Sequence, residues 1–95
     1  IPACRIVVLW TEGAPLTADA GEVVSAHRPI IVGTDAPSLD AEPYPVHRLL
    51  LGQGILLAEN LQGLDRLGPG PATFACLPLA AVGADGAPAR VIAWR

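Results

Sequence analysis

The stretch Ile30-Ile31-Val32-Gly33-Thr34-Asp35-Ala36-Pro37-Ser38-Leu39-Asp40 changes character at its centre. Ile30, Ile31 and Val32 are β-branched and apolar, the make-up of a short strand buried on both faces. Gly33 is expected to end that strand. Gly33 to Asp40 is polar, tight and rich in turn formers. A polar loop leaving the C-terminal end of a buried strand is where α/β proteins place their sites. The reading is therefore α/β, with Asp35, Ser38 and Asp40 in a loop worth testing for chemistry.

The flanks agree. On the N-terminal side, Arg5 to Trp10 is β-branched and apolar and reads as another buried strand. Thr11 to Thr17, with Gly13 and Pro15, reads as a loop. Thr17 is placed to cap a helix over Ala18 to Ala26, with Asp19 and Glu22 in its first turn, and Pro29 stops it. On the C-terminal side, Pro43-Tyr44-Pro45 is extended. Val46 to Leu51 is predicted as a short helix ended by Gly52 and Gly54. Ile55 to Ala58 reads as a third strand that delivers Glu59 and Asn60 at its end. Leu61, Leu64 and Leu67 are spaced at three, which suits a helical turn packed on the core. Gly68-Pro69-Gly70-Pro71 breaks the chain. Thr73 to Ala81 includes Leu77-Pro78-Leu79 and is read as an edge or interrupted strand. Gly83 to Pro88 is a turn signal and Arg90 to Trp94 a last strand, so residues 73–94 are predicted to form a β-hairpin.

Ninety-five residues make one domain at most, with a small core. An apolar content of 52% argues against disorder. The net charge is −3, and the six basic residues are all arginine, spread singly; we read the missing lysine as coding bias. Binding to a phosphate backbone needs clustered cations, so no nucleic acid is expected as a partner. No apolar run approaches the roughly 20 residues of a membrane span, and no signal peptide is read at the start, so no membrane partner is expected and a cytoplasmic location is the default. Cys4 and Cys76 are expected as two free thiols buried in strands. The chain opens on Ile1 and enters a strand almost at once, which hints at sequence upstream and equally suits a processed N-terminus.

A catalytic metal needs imidazole and carboxylate ligands that converge from rigid elements, with one position left open. His47 begins the short second helix and Glu59 ends the strand after it. A helix of six residues advances roughly 9 Å. A five-residue strand returns roughly 16 Å, so both side chains can reach one sheet edge. The spacing permits this without requiring it. A hydrogen-bonded histidine and a solvated glutamate are the commoner reading of such a pair. His27, at the end of the first helix, suits a capping or surface role. Asp35 and Ser38 more often bond their own backbone in such turns than do chemistry. No G-x-S-x-G, G-x-G-x-x-G or P-loop pattern occurs, which removes the nucleophile-elbow and nucleotide-binding readings.

Several segments together resemble one family. Gly33 to Asp40 is similar to the G-x-D-x-x-S-x-D segment of the cyclase family of metal-dependent hydrolases, which includes bacterial kynurenine formamidases and isatin hydrolases. Val46-His47-Arg48-Leu49-Leu50-Leu51 resembles its V-H-x-x-L-L segment. Ile55 to Leu61, with Leu64-Asp65, resembles its I-x-x-x-E-N-L…L-D segment. Leu77-Pro78-Leu79 and Asp85 to Arg90 resemble its closing L-P-L…G-D-G-S-P-x-R segment, with Ala84 for the glycine and Ala87 for the serine. The match is collinear and runs nearly end to end.

That resemblance implies a swivelling-type β/β/α sheet domain, present here as its C-terminal portion over residues 1–95. It implies hydrolysis of amide or lactam bonds by metal-activated water, with zinc or manganese as the cofactor. It makes His47 and Glu59 metal ligands, and puts Asp35, Ser38 and Asp40 in a structural or site-framing loop. The family's H-x-G-T-H-x-D-x-P segment, which supplies the other ligands and the catalytic histidine, has no counterpart in these residues. The chain alone is thus expected to be inactive and to need the missing half as upstream sequence, a partner chain or a neighbouring subunit. A small-molecule amide is the implied substrate, and the apolar area that a missing half would leave exposed favours a homo-oligomer. The alternatives are a non-catalytic scaffold or dimerisation module of the same fold, and a member that cyclises its substrate.

Overall fold

The computed structural model describes residues 5–79, 83 and 86–95. Cys4, and the Ala84 and Asp85 of the expected turn, lie outside the described residues. The chain forms two compact units, Ile1–Leu64 and Asp65–Arg95.

In the first unit, β1 (Ile6–Leu9), β2 (Ile31–Thr34) and β3 (Leu56–Ala58) form a parallel sheet in the order β1-β2-β3. Ile31 pairs with Ile6 on one side and with Leu56 on the other. Parallel strands need crossovers, and here they are helices: α1 (Ala18–Ala26) joins β1 to β2, and α2 (Pro45–Gly52) joins β2 to β3. The fold is mixed α/β, as the sequence reading expects. The Thr17 hydroxyl accepts from the Ala20 N–H at 3.2 Å and caps α1. The first turn of α1 holds Asp19 alone among acidic residues; Glu22 falls one position beyond it, a correction to the expectation.

One apolar face of each element meets in a single core. Val7 and Val32 from the sheet, Val24 from α1, Val46 and Leu50 from α2, Leu39 from the β2–α2 loop and Ile55 are all buried in it. Spacing explains the helical members, because Val46 and Leu50 are four apart and lie on one face. Full burial of a side chain of this size contributes about 1.5–3 kcal/mol.

Three local expectations need correcting. Pro43-Tyr44-Pro45, expected to be extended, bends instead: Pro43 lies in a turn, Tyr44 is left-handed at φ 59° and Pro45 opens α2. Gly33 lies inside β2, which runs on to Thr34. Its lack of a side chain serves a close approach: a Cβ there would lie 2.9 Å from Leu61 Cδ1. Leu61 therefore packs over the sheet and stands outside any helix. The helix after it, α3, spans only Leu64–Leu67 and buries no residue.

The second unit holds an antiparallel hairpin of β4 (Thr73–Pro78) and β5 (Ala89–Trp94), with Thr73 opposite Trp94 and Pro78 opposite Ala89. Pro78 closes the ladder at its end, where a missing N–H costs least. Cys76 is a free thiol within β4, as expected, but half-buried where full burial was expected. The reason is that a two-stranded sheet offers little cover. The Arg95 guanidinium donates to the carbonyls of Leu67, Gly68, Pro69 and Pro71 and ties that loop to the end of β5. No helix among the described residues is long and apolar enough to cross a membrane.

Candidate functional site

The C-terminal ends of the three parallel strands gather the polar residues singled out in the sequence. β2 leads into Asp35, β3 into Glu59, and the start of α2 supplies His47. Three of the five candidates meet there. His47 Nε2 lies 3.1 Å from Glu59 Oε2, and His47 Nδ1 hydrogen-bonds Asp40 Oδ1. The imidazole is 21% exposed, the Glu59 side chain 32% and the Asp40 side chain 2%.

Local backbone geometry explains the convergence. Pro45 occupies the first turn of α2 and sets its start. Tyr44, the residue before it, is left-handed at φ 59° and gives no side-chain cap. The free N–H of Val46 is satisfied instead by Asp40 Oδ2 at 2.7 Å, which draws the loop onto the helix start. Glu59 is held by its neighbours. The Asn60 N–H donates to the Ala36 carbonyl at 2.8 Å and the Leu61 N–H to the Thr34 carbonyl at 3.0 Å. The Leu39 N–H donates to Glu59 Oε2 at 2.6 Å. The Tyr44 ring meets the imidazole edge-on, with centroids 5.4 Å apart.

Asp35 and Ser38 do not join this cluster. Asp35 accepts from the Thr11 N–H at 2.7 Å, the Thr11 hydroxyl at 2.9 Å and the Gly13 N–H at 3.3 Å. Burial raises its pKa, and the bonds from Thr11, its own backbone and Gly13 together outweigh that and leave it below the usual value. The Ser38 hydroxyl donates to the Asp40 carbonyl at 2.8 Å. Both residues brace the loop. The contact that sequence reasoning missed is Asp40 with His47. Asp40 lies seven positions before the histidine, and a proline-rich bend between them hides the pairing.

The pair fits a small cation. Two ligands at 2.0–2.1 Å from one tetrahedral ion stand about 3.3 Å apart, so the observed 3.1 Å needs little opening. Among the described residues no group of three or more His, Cys, Asp or Glu side chains could hold an ion. His47 and Glu59 alone therefore fall short of the roughly three protein ligands that a catalytic zinc takes.

No family model matches the chain. It is 39% identical over 87 residues to a kynurenine formamidase of Salinibacter ruber, an alignment covering 87% of this chain and 41% of that protein. It is 41% identical over 63 residues to the kynurenine formamidase of Geobacillus thermodenitrificans, covering 63% of this chain and 30% of that protein. Among solved structures, it superposes with TM-score 0.75 and 30% identity on a potential metal-dependent hydrolase with cyclase activity, covering 85% of this chain and 41% of that one. A predicted metal-dependent hydrolase from Bacillus stearothermophilus gives TM-score 0.73 and 32% identity, covering 81% and 38%. The chain spans well under half the length of these relatives. In sequence and fold the chain matches the C-terminal part of these longer proteins, which are named kynurenine formamidases and cyclase-like metal-dependent hydrolases.

Proposed function

We propose that this chain is the C-terminal part of a metal-dependent hydrolase that cleaves an amide or lactam bond in a small molecule, as a kynurenine formamidase does. His47 and Glu59 are its two metal ligands in this part of the protein. The observation that carries the reading is the 3.1 Å approach of His47 Nε2 to Glu59 Oε2 at the C-terminal edge of the parallel sheet. The names of the relatives and structural neighbours support it.

A divalent cation, zinc or manganese, would lower the pKa of a water molecule and polarise the substrate carbonyl. The chain's own residues do the positioning. The β3 end and the Asn60 and Leu61 backbone bonds fix the Glu59 carboxylate. The Leu39 N–H bonds Glu59 Oε2 and limits its rotation. The other ligands come from sequence beyond these 95 residues, as upstream chain, partner chain or neighbouring subunit. The half-site alone is therefore inactive. A cytoplasmic homo-oligomer belongs to the same reading.

The test is hydrolysis of an aryl formamide by the full-length protein. We expect chelation to abolish turnover, zinc or manganese to restore it, and Glu59→Gln to prevent that restoration. Turnover indifferent to chelation, or unchanged in Glu59→Gln, would overturn the proposal.

A further inference from the structure

We propose that Asp40 is a positioning residue that fixes the tautomer of His47, so that Nε2 is the nitrogen left free to bind a cation. This inference rests on the metal-site reading above. A neutral imidazole has one N–H and one lone pair, and which nitrogen carries the proton is set by what faces it. The Asp40 side chain is 2% exposed and its carboxylate only accepts. Both of its oxygens are engaged: Oδ2 takes the Val46 N–H at 2.7 Å and Oδ1 takes the His47 Nδ1–H. In the neutral ring the buried Asp40 competes for the single proton better than the 32% exposed Glu59, which leaves the lone pair on Nε2, 3.1 Å from Glu59 Oε2.

A lone pair and a carboxylate oxygen at that distance repel unless a proton or a metal cation lies between them, and a cation bound there takes the place of the proton. Two carboxylates thus flank one imidazole and favour a cation at its outer nitrogen. Carboxylate–histidine–metal chains of this kind orient the ring and raise its basicity. One side chain performs two tasks here. Asp40 anchors the first turn of α2, which sets where the ring starts, and it holds the ring's inner nitrogen, which sets which way it is protonated. Tyr44, edge-on to the ring, adds a steric wall on one side.

The test uses Asp40→Asn in the full-length protein. The amide oxygen can keep the Val46 N–H bond, but its NH2 group then faces His47 Nδ1. That nitrogen must accept, so the ring proton moves to Nε2. Ring nitrogen shifts of His47, from long-range proton–nitrogen correlation on metal-free protein at a pH where the ring is neutral, read this directly. We expect Nδ1 protonated in the wild type and Nε2 protonated in Asp40→Asn. We also expect zinc affinity to fall about 10- to 100-fold in the variant. A wild-type ring protonated on Nε2 overturns the proposal without recourse to any variant. Zinc affinity unchanged in Asp40→Asn but lost in His47→Ala overturns it too. Zinc affinity unmoved by His47→Ala is instead a failure of the metal-site reading, and the ring shifts report on Asp40 independently of it.

Discussion

Gly21→Ala sets two effects of known size against each other. Gly21 lies mid-way along α1 and is buried. An alanine there gains about 1 kcal/mol in helix propensity. A Cβ at that position, however, would meet Val46 Cγ2 at 2.8 Å, Cγ1 at 3.0 Å and Cβ at 3.3 Å. Non-bonded carbons rest at about 3.5–4.0 Å, so every one of these contacts is too short. Val46 has no easy escape. It is 1% exposed, it is β-branched with one strongly preferred χ1 in a helix, and rotation exchanges one γ carbon for the other. The strain falls on the packing of α1 against α2, and overpacking of this kind costs about 1–3 kcal/mol. The clash offsets or outweighs the gain in propensity, and the variant is predicted to lose up to about 2 kcal/mol net. Gly52→Ala is the internal control, because Gly52 ends α2 with nothing within 4 Å of an added Cβ. It should gain up to about 1 kcal/mol. Urea unfolding followed by circular dichroism on the full-length protein measures both. Adding Val46→Ala to Gly21→Ala should recover part of the loss as a favourable coupling. If Gly21→Ala stabilises as Gly52→Ala does, the α1–α2 contact is not as close as described and the reasoning fails.

Two further outcomes follow from the fold. Leu50 is fully buried at the centre of the core, so Leu50→Ala should cost about 2–5 kcal/mol in the same assay. Asp35 has a folded-state pKa below its ordinary value of 3.8, so the stability it contributes is present above that value and is lost as the pH falls through the lower folded one. Unfolding curves across the acid range should show that slope in the wild type and a shallower one in Asp35→Asn; equal slopes would contradict the Thr11 and Gly13 bonds.

The elements whose signals are local were legible in the sequence. The run Ile30 to Val32, the cap at Thr17 and the break at Pro29 each act through their own neighbours, and β2 and α1 form near where they predict. The strand–helix–strand spacing permits the convergence of His47 with Glu59 without requiring it, and the parallel order β1-β2-β3 comes from the structure alone. What escaped reading depends on contacts distant in sequence. Gly33 looked like a strand end because glycine commonly is one, whereas here it makes room for Leu61. The leucines at 61, 64 and 67 kept a helical spacing, but Leu61 is used against the sheet. Position in the loop and the family resemblance both group Asp40 with Asp35 and Ser38. Its carboxylate instead reaches across a proline-rich bend to cap α2 and hold His47, and no local pattern encodes that.

The central claim is that His47 and Glu59 share one divalent cation. Isothermal titration of the metal-stripped full-length protein with zinc and with manganese tests it most directly, in the wild type and in His47→Ala and Glu59→Ala. Loss of either ligand should weaken binding by more than the ~10- to 100-fold that removal of an outer partner costs. Unchanged affinity in both variants would contradict the account.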